Sequence, residues 1–409
     1  MFAANAPRSS SLRTALRTAL AAPTRVAGRG DDAIIISALV LAALGLVMVY
    51  SASVFVATKA YQVDWIIFFR QFRLLLVGLA AMGVGMFVDI GVYRRWIKLA
   101  LLAWCLVMAL QLFTPIGPVI NSTRRWVRLG LFNLQTADVA RCLVVIFLAK
   151  LLAKDPELAR RPSRKFFAVL AMAGVPVLLT NLQPDLSFSL VIGLTIMLVL
   201  FLGGMSVLNL GIIGSAGIPA VIYLFLQRPY QIKRLMMFVS SRFSGAEMEY
   251  QTLQSLIGFG RGGLLGVGLG QGKQKMLFLP EPHTDFIFST IGEELGLLGA
   301  TAVIVSFLVL AVRMFQICAR QSDRFTFLMG SGLAGSMMIF VLINTGVAVG
   351  LLPVTGLPLP FISSGGTSLV VSMWTAGVIW NLSRQSRWGY DSGRPGGQPA
   401  RRQMNAGKL

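Results

Sequence analysis

The sequence predicts an all-α polytopic membrane protein of about ten transmembrane helices, with a large extracellular loop between helices 7 and 8. Three observations carry that expectation. Hydrophobic residues make up 55% of the 409-residue chain and charged residues only 13%, about half of what a soluble domain carries. Mean hydropathy is +0.72. Apolar runs of about 20 residues, enough to cross a bilayer, recur along the chain, with basic residues between them.

The elements follow in order. Residues 1–32 form a basic tail; Arg8, Arg13, Arg17, Arg25 and Arg29 precede its first acid, Asp31. The apolar run from Ile34 to Ala57 is too long for a signal-peptide core, so it is expected to stay as the first transmembrane helix. The expected spans are 34–57, 71–90, 96–115, 135–153, 166–181, 186–204, 207–226, 284–312, 326–350 and 365–383. The transmembrane domain then covers 33–384. The Gly-, Pro- and Arg-rich segment 385–409 is expected to be a disordered basic tail. An even number of spans puts both termini on one side. That side carries 22 Lys and Arg against 11 on the other, which makes it cytoplasmic.

The net charge of +21 alone would admit nucleic acid as a partner. Here the charges sit between membrane spans, with no basic stripe alternating with exposed aromatics, so anionic membrane lipids are the expected partner and nucleic acid is not. Cys105, Cys142 and Cys318 lie apart in apolar surroundings, and His283 is the single histidine, which argues against structural zinc.

The 227–283 segment is too long for an idle connector. It contains the amphipathic stretch "EYQTLQSLIGFGRGG", expected as a surface helix, then the glycine-rich "GVGLGQGKQK" and "LFLPEPHTDF". From Lys273 to Glu294 it leads into the densest ionisable cluster: Lys273, Lys275, Glu281, His283, Asp285, Glu293 and Glu294. Asp285 stands where the chain re-enters the membrane. It is either a functional carboxylate or the cap of the next helix. Glu293 and Glu294 lie about 12 Å further along that helix and are turned away from Asp285. They are expected to pair structurally.

Four further groups carry candidate chemistry. Asp138 and Arg141, at i and i+3, share a helical face and are expected to form a buried structural ion pair. Arg124, Arg125 and Arg128 in "NSTRRWVRLG" lie on the outer side, against the positive-inside trend, so an anionic ligand or a headgroup anchor fits them. Gln183 and Asp185 in "NLQPDL" sit at a helix break. Ser363 and Ser364 lie in the outer turn "LLPVTGLPLPFISSGGTS".

Taken together these segments resemble the SEDS family (shape, elongation, division and sporulation). The resemblance runs from "VMVYSAS" at 47–53 to "NLSR" at 381–384, and is most specific in "LPEPHTDFIFSTIGEELGLLG" and "NTGVAVGLLPVTGLPLPFISSGGTSL". It implies ten transmembrane helices in a polymerase of lipid II, the undecaprenyl-diphosphate-linked disaccharide pentapeptide. A class B penicillin-binding protein and other division proteins are the implied partners. The family's essential aspartate falls on Asp285. Its glutamate–lysine pair falls on Asp138 and Arg141, where both charges are kept and both side chains differ. The family's glycine and threonine after "QPD" are replaced by Ser187 and Phe188. The segments around Asp285 and the Pro-rich turn resemble the division type more than the elongation type, with a sporulation type as a further alternative.

The chemistry expected is glycosyl transfer from a diphosphate-linked donor, which needs a base at the acceptor hydroxyl and positive charge at the leaving group. Asp285 is the candidate base. Arg124, Arg125, Lys273 and Lys275 are candidates to hold diphosphate, with or without a divalent cation (Mg or Mn). Glu281, His283, Gln183, Asp185, Ser363 and Ser364 are candidate sugar or diphosphate contacts, and no organic cofactor is expected. Two rival readings remain: a lipid II flippase, with Asp138, Arg141, Glu293 and Glu294 lining a path, and a non-catalytic division scaffold.

Overall fold

The computed structural model describes residues 30–391 apart from 115–123, 129, 131, 161–162, 227–228, 244–247 and 277. Each expected span is a helix. In chain order they are α1 (Asp32–Tyr61), α2 (Ile66–Phe87), α3 (Ile90–Phe113), α4 (Thr136–Lys154), α6 (Arg164–Leu182), α7 (Leu186–Leu202), α8 (Val207–Leu226), α11 (Ile287–Ala319), α12 (Arg324–Ala348) and α13 (Gly366–Asp391). Short helices α5 (Glu157–Arg160), α9 (Pro229–Phe243) and α10 (Tyr250–Gly262) lie between them, with a hairpin of β1 (Trp126–Arg128) and β2 (Asn133–Gln135).

Among the described residues, α1, α2, α3, α6, α11 and α12 are long and apolar enough to cross a membrane; α7 and the first half of α8 are shorter apolar helices. Helix α4 carries Asp138, Arg141, Lys150 and Lys154, yet most of it is buried inside the bundle. Helix α2 starts five residues before the expected span and so takes in Arg70 as well as Arg73, both near its N-terminal end with exposed side chains. Long basic side chains can reach headgroup level from such positions. Helix α13 runs to Asp391, past the expected boundary at 384. The rest of the basic tails, 1–29 and 392–409, lies outside the described residues. Large apolar side chains face outward, among them Phe87, Leu102 and Leu106. A soluble protein rarely shows such a surface, and a bilayer requires one.

Polar contacts mark one end of the bundle. The Asp31 N–H donates to Ser383 Oγ (2.8 Å), Arg313 lies 3.9 Å from Asp31, Arg94 lies 3.7 Å from Asp323, and Arg324 donates to the Gly203 carbonyl (2.7 Å). The starts of α1, α3 and α12 therefore meet the ends of α7, α11 and α13, as alternating spans require. Asp285, the hairpin and Asp185 lie at the opposite end.

The long loop departs from its expectation. Helix α10 has helical spacing, but its small and polar face (Thr252, Ser255, Gly258, Gly262) is the buried one, while Leu253 and Ile257 face outward. That small face lets α10 pack closely against α11. The following segment enters a break in α11 at Gly296, whose φ of 68° and ψ of −167° suit glycine alone. The break frees the carbonyls of Glu293 and Glu294, which accept from Val267 N and Gly268 N (both 3.0 Å). Leu297 N and Leu298 N donate in turn to the carbonyls of Gly263 (2.9 Å) and Leu264 (3.2 Å). The loop is thus stitched into the bundle, and the backbone groups of a broken membrane helix find partners in protein, as hydrocarbon surroundings demand.

Candidate active site

The segment from Glu281 to Phe286 leads into α11 and is held by its backbone. Asn344 of α12 donates through Nδ2 to the Asp285 carbonyl (2.9 Å) and to the Leu357 carbonyl (2.7 Å). Ser363 Oγ donates to the Thr284 carbonyl (2.6 Å) and accepts from Leu359 N (2.7 Å). The Ser364 N–H donates to the His283 carbonyl (2.9 Å). Gln71 of α2 donates to the Ser363 carbonyl (3.3 Å). The Pro-rich turn after α12 is therefore a scaffold. Leu357, Leu359, Phe361 and Ile362 are buried, and Phe361 is held at a φ of 63°, a conformation that non-glycine residues enter only when their surroundings impose it. Ser363 is itself buried and its hydroxyl is spent on this bracing, so it is not placed as the ligand contact expected from sequence.

The Asp285 side chain does not cap α11. The N-cap position is Phe286, and no side chain closes that end. The carboxylate is partly buried beside Gly356, whose φ is +70°; a Cβ there would lie 3.4 Å from Asp285 Oδ2. Burial pushes the Asp285 carboxyl up to about 6, and the negative Glu281 adds to the rise. A hydrogen bond with Thr284 and the cations Arg234 and Arg125 pull it part of the way back. His283 is pushed down from its ordinary value, chiefly by burial and further by Arg70, while Glu281 opposes the shift. Its Nε2 lies 3.9 Å from Glu281, and its buried Nδ1 has no hydrogen-bond partner among the described residues. Asp285 is thus a carboxylate mostly ionised at neutral pH, with a raised proton affinity and two cations in range. That combination suits a general base.

A second group docks on the same scaffold. The β1–β2 hairpin is tied to α13 by Thr367, whose Oγ1 accepts from Gln135 N (2.7 Å) and donates to the Asn133 carbonyl (3.3 Å). Arg125, just before β1, stacks over Trp126 and places Nη1 2.9 Å from Asp185 Oδ2. Gln135 Nε2 donates to the same oxygen (3.1 Å), while Asp185 Oδ1 caps α7 through Phe188 N (3.2 Å). Arg124 is exposed and donates to the Thr114 carbonyl (3.3 Å). Gln183 is buried, donating to the Met108 carbonyl (3.0 Å) and Gln111 (3.1 Å), so it packs α3 against α6 instead of facing a ligand.

Lys275 also departs from its expectation. It is buried, with Nζ 2.6 Å from Glu294 Oε1 and 2.9 Å from Ser51 Oγ. Its charge is neutralised inside the bundle, away from any diphosphate. Lys273 is exposed, and its backbone N–H donates to Glu293 (2.9 Å). Glu293 and Glu294 are structural, as the sequence indicated. Asp138 and Arg141 likewise form a buried pair (2.8 Å), closed by Ser336 (2.7 Å) and by Phe340 beneath the guanidinium.

Sequence reasoning missed Asn344 and Arg234. Asn344 is a lone amide near the end of an apolar span, which was the available signal. Arg234 of α9 is paired with Glu249 (2.9 Å) and Gln251 (3.2 Å), partners that only the folded loop brings near. Among the described residues no three His, Cys, Asp or Glu side chains gather in a group able to hold a metal ion.

Residues 31–388 match the model of the FtsW/RodA/SpoVE cell cycle proteins. The chain belongs to this family. It is 36% identical to the stage V sporulation protein E of Bacillus subtilis over 88% of this chain and 98% of that protein. It is 35% identical to the "Probable peptidoglycan glycosyltransferase FtsW" of Geobacter sulfurreducens over 87% of this chain and 95% of that one. Among solved structures it resembles a chain of a peptidoglycan synthase complex that coordinates polymerization and crosslinking. That TM-score is 0.69 at 25% identity, covering 87% of this chain and 98% of the other. It also resembles the rod shape determining protein RodA of Thermus thermophilus, with a TM-score of 0.63 at 25% identity over 87% of this chain and 97% of that one. The polytopic fold and the SEDS resemblance seen in the sequence are both borne out.

Proposed function

We propose that this protein is a peptidoglycan glycosyltransferase that polymerises lipid II at the outer face of the bacterial cytoplasmic membrane, with Asp285 as general base. The observation that carries the reading is Asp285 itself: partly buried, raised to about 6 by burial and by Glu281, and within the field of Arg125 and Arg234. In the reaction, Asp285 takes the proton of the GlcNAc 4-hydroxyl of an incoming lipid II. That oxygen attacks the anomeric carbon of the growing chain, and undecaprenyl diphosphate leaves. Arg125 and Arg234, the two cations whose fields reach Asp285, supply positive charge for the leaving diphosphate, and the exposed Arg124 and Lys273 are further candidates. A divalent cation, if bound, would add positive charge at that diphosphate, and the residues named carry the reaction without it.

The charge asymmetry of the loops supports cytoplasmic termini, which puts Asp285 on the side where lipid II presents its sugars. A class B penicillin-binding protein is the proposed partner, and the likeness to a synthase complex supports it. Likeness to FtsW-named relatives supports a role in division. The flippase reading is weakened because the charges that would line its path, Asp138–Arg141 and Glu293–Glu294, are all closed by internal partners.

The test is polymerisation of labelled lipid II by the purified complex in detergent, where flipping has no meaning. Wild type should give lysozyme-sensitive chains. Asp285→Asn should lose about 10²–10⁴-fold in rate while melting no lower than wild type. Normal polymerisation by the Asp285→Asn variant would remove Asp285 from the role of base; a wild-type complex that makes no polymer, yet scrambles lipid II in liposomes, would replace the polymerase reading with the transporter.

A further inference from the structure

We infer that Asp185 is a positioning residue for glycosyl transfer, holding the Arg125 guanidinium at the end of the bundle where Asp285 stands. This rests on the polymerase reading and adds to it a residue that need not touch substrate. Asp185 is buried, and its two oxygens are divided between two tasks. Oδ1 accepts from Phe188 N and starts α7, while Oδ2 receives Arg125 Nη1 (2.9 Å) and Gln135 Nε2 (3.1 Å). Arg125 keeps 23% of its side chain exposed, against 3% for Asp185. The cation thus keeps access to its surroundings while the anion that holds it is buried.

The mounting is rigid on three sides. Trp126 lies against the guanidinium, with 4.9 Å between Cζ and the ring centroid. Gln135 is fixed by Thr367 at the start of α13. Three to four residues before Thr367, Ser363 and Ser364 grip the backbone of His283 and Thr284 beside Asp285. Arg125 and Asp285 are therefore mounted on one stretch of chain, and Arg125 is one of two cations whose field reaches the Asp285 carboxylate. A long cation left loose at the surface loses much rotamer freedom when it binds a ligand. Fixing it beforehand reduces that loss, and a guanidinium held in one plane suits the paired oxygens of a diphosphate.

The test separates positioning from folding. Asparagine caps helices as well as aspartate does, so Asp185→Asn keeps the Oδ1 acceptor for Phe188 N while it removes the charge behind Arg125 and replaces Oδ2, the acceptor for Arg125 and Gln135, with a donor. Binding of fluorescent lipid II is measured without turnover in the Asp285→Asn background, and steady-state polymerisation in the wild-type background. Asp185→Asn should raise Kd about tenfold, the size of one lost charge-assisted hydrogen bond, and lower kcat/KM by at least that factor, because the same cation serves the leaving diphosphate. Added to Arg125→Gln, it should change Kd no further, because it acts through Arg125. Arg125→Lys leaves the cap untouched and should raise Kd by a similar factor. Additive effects of Asp185→Asn and Arg125→Gln, or an unchanged Kd in Arg125→Lys, would overturn the inference. An Asp285→Asn variant that still polymerises would sink the base assignment, whereas an unchanged Kd in Arg125→Lys would sink this inference, so the two failures are told apart.

Discussion

Asp285 and Glu294 are two carboxylates nine residues apart, one just before α11 and one within its first turns. Their surroundings are opposite. Glu294 accepts from Lys275 Nζ, from Ser51 Oγ and from Gly270 N (3.1 Å), and its side chain is 0% exposed. Its donors come from α1 and from the loop, so the carboxylate joins those segments to α11. Asp285 has the reverse: burial without full compensation, a like charge at Glu281 and cations acting from a distance. Its backbone is held firmly while its carboxylate keeps a raised affinity for a proton. Saturation distinguishes a carboxylate that joins segments from one able to exchange a proton with a substrate.

The comparison can be broken at Glu294 first. Lys275→Met alone leaves Glu294 buried without its cation and should cost about 3–5 kcal/mol. Lys275→Met with Glu294→Leu removes both charges and should be more stable than either single variant, although Ser51 and Gly270 N lose a partner. Thermal unfolding of the four proteins of this cycle in detergent measures the coupling. Two effects that merely add would show that the pair does not join the loop to α11. Residual polymerisation should fall only as far as folded protein is lost, in contrast to Asp285→Asn, which should inactivate without unfolding.

The same contrast explains what could be read from the sequence. The ten spans were legible because apolar length is a property of the chain alone, and Asp285 stood out as an ionisable group at a membrane boundary. Lys273 and Lys275 looked equivalent, two residues apart in a glycine-rich loop. The turn between them exposes one and buries the other against Glu294, and nothing local to the loop encodes Ser51 of α1 as the third partner. Ser363 and Ser364 looked alike as ligand contacts because they are small and polar in an outer turn, but the Thr284 carbonyl takes the Ser363 hydroxyl, while Ser364 gives only its backbone N–H, to His283. The hairpin at 126–135 escaped notice because its strands are three residues each, below the length at which alternation is visible. Asp185 was expected at a helix break and as a sugar or diphosphate contact; one oxygen starts α7, and the other has a task visible only once Arg125 is beside it.

A last prediction sharpens the comparison through pH. The proton affinity of Asp285 is raised, so the folded protein keeps this proton in a range where the unfolded chain has released it. Stability is therefore full below about 4, where both states are protonated, and falls as pH rises toward about 6, where the folded carboxyl ionises. Activity runs the other way, since only the ionised form is a base: the rate of polymerisation should rise through about pH 6 and level off above about 7. Asp285→Asn should remove both dependences at this site, melting above wild type at about pH 8 and level with it near about pH 4. Gly356→Ala moves the profile without touching the carboxylate. Its methyl would stand 3.4 Å from Asp285 Oδ2 in a left-handed backbone, displacing water from the ionised form. It should shift the rise in rate to higher pH, with a strain cost of about 1–2 kcal/mol. Glu281→Gln removes the like charge and should shift the rise to lower pH. If the rate profiles of wild type, Gly356→Ala and Glu281→Gln were all flat between about pH 5 and 8, the ionisation that governs turnover would not belong to Asp285.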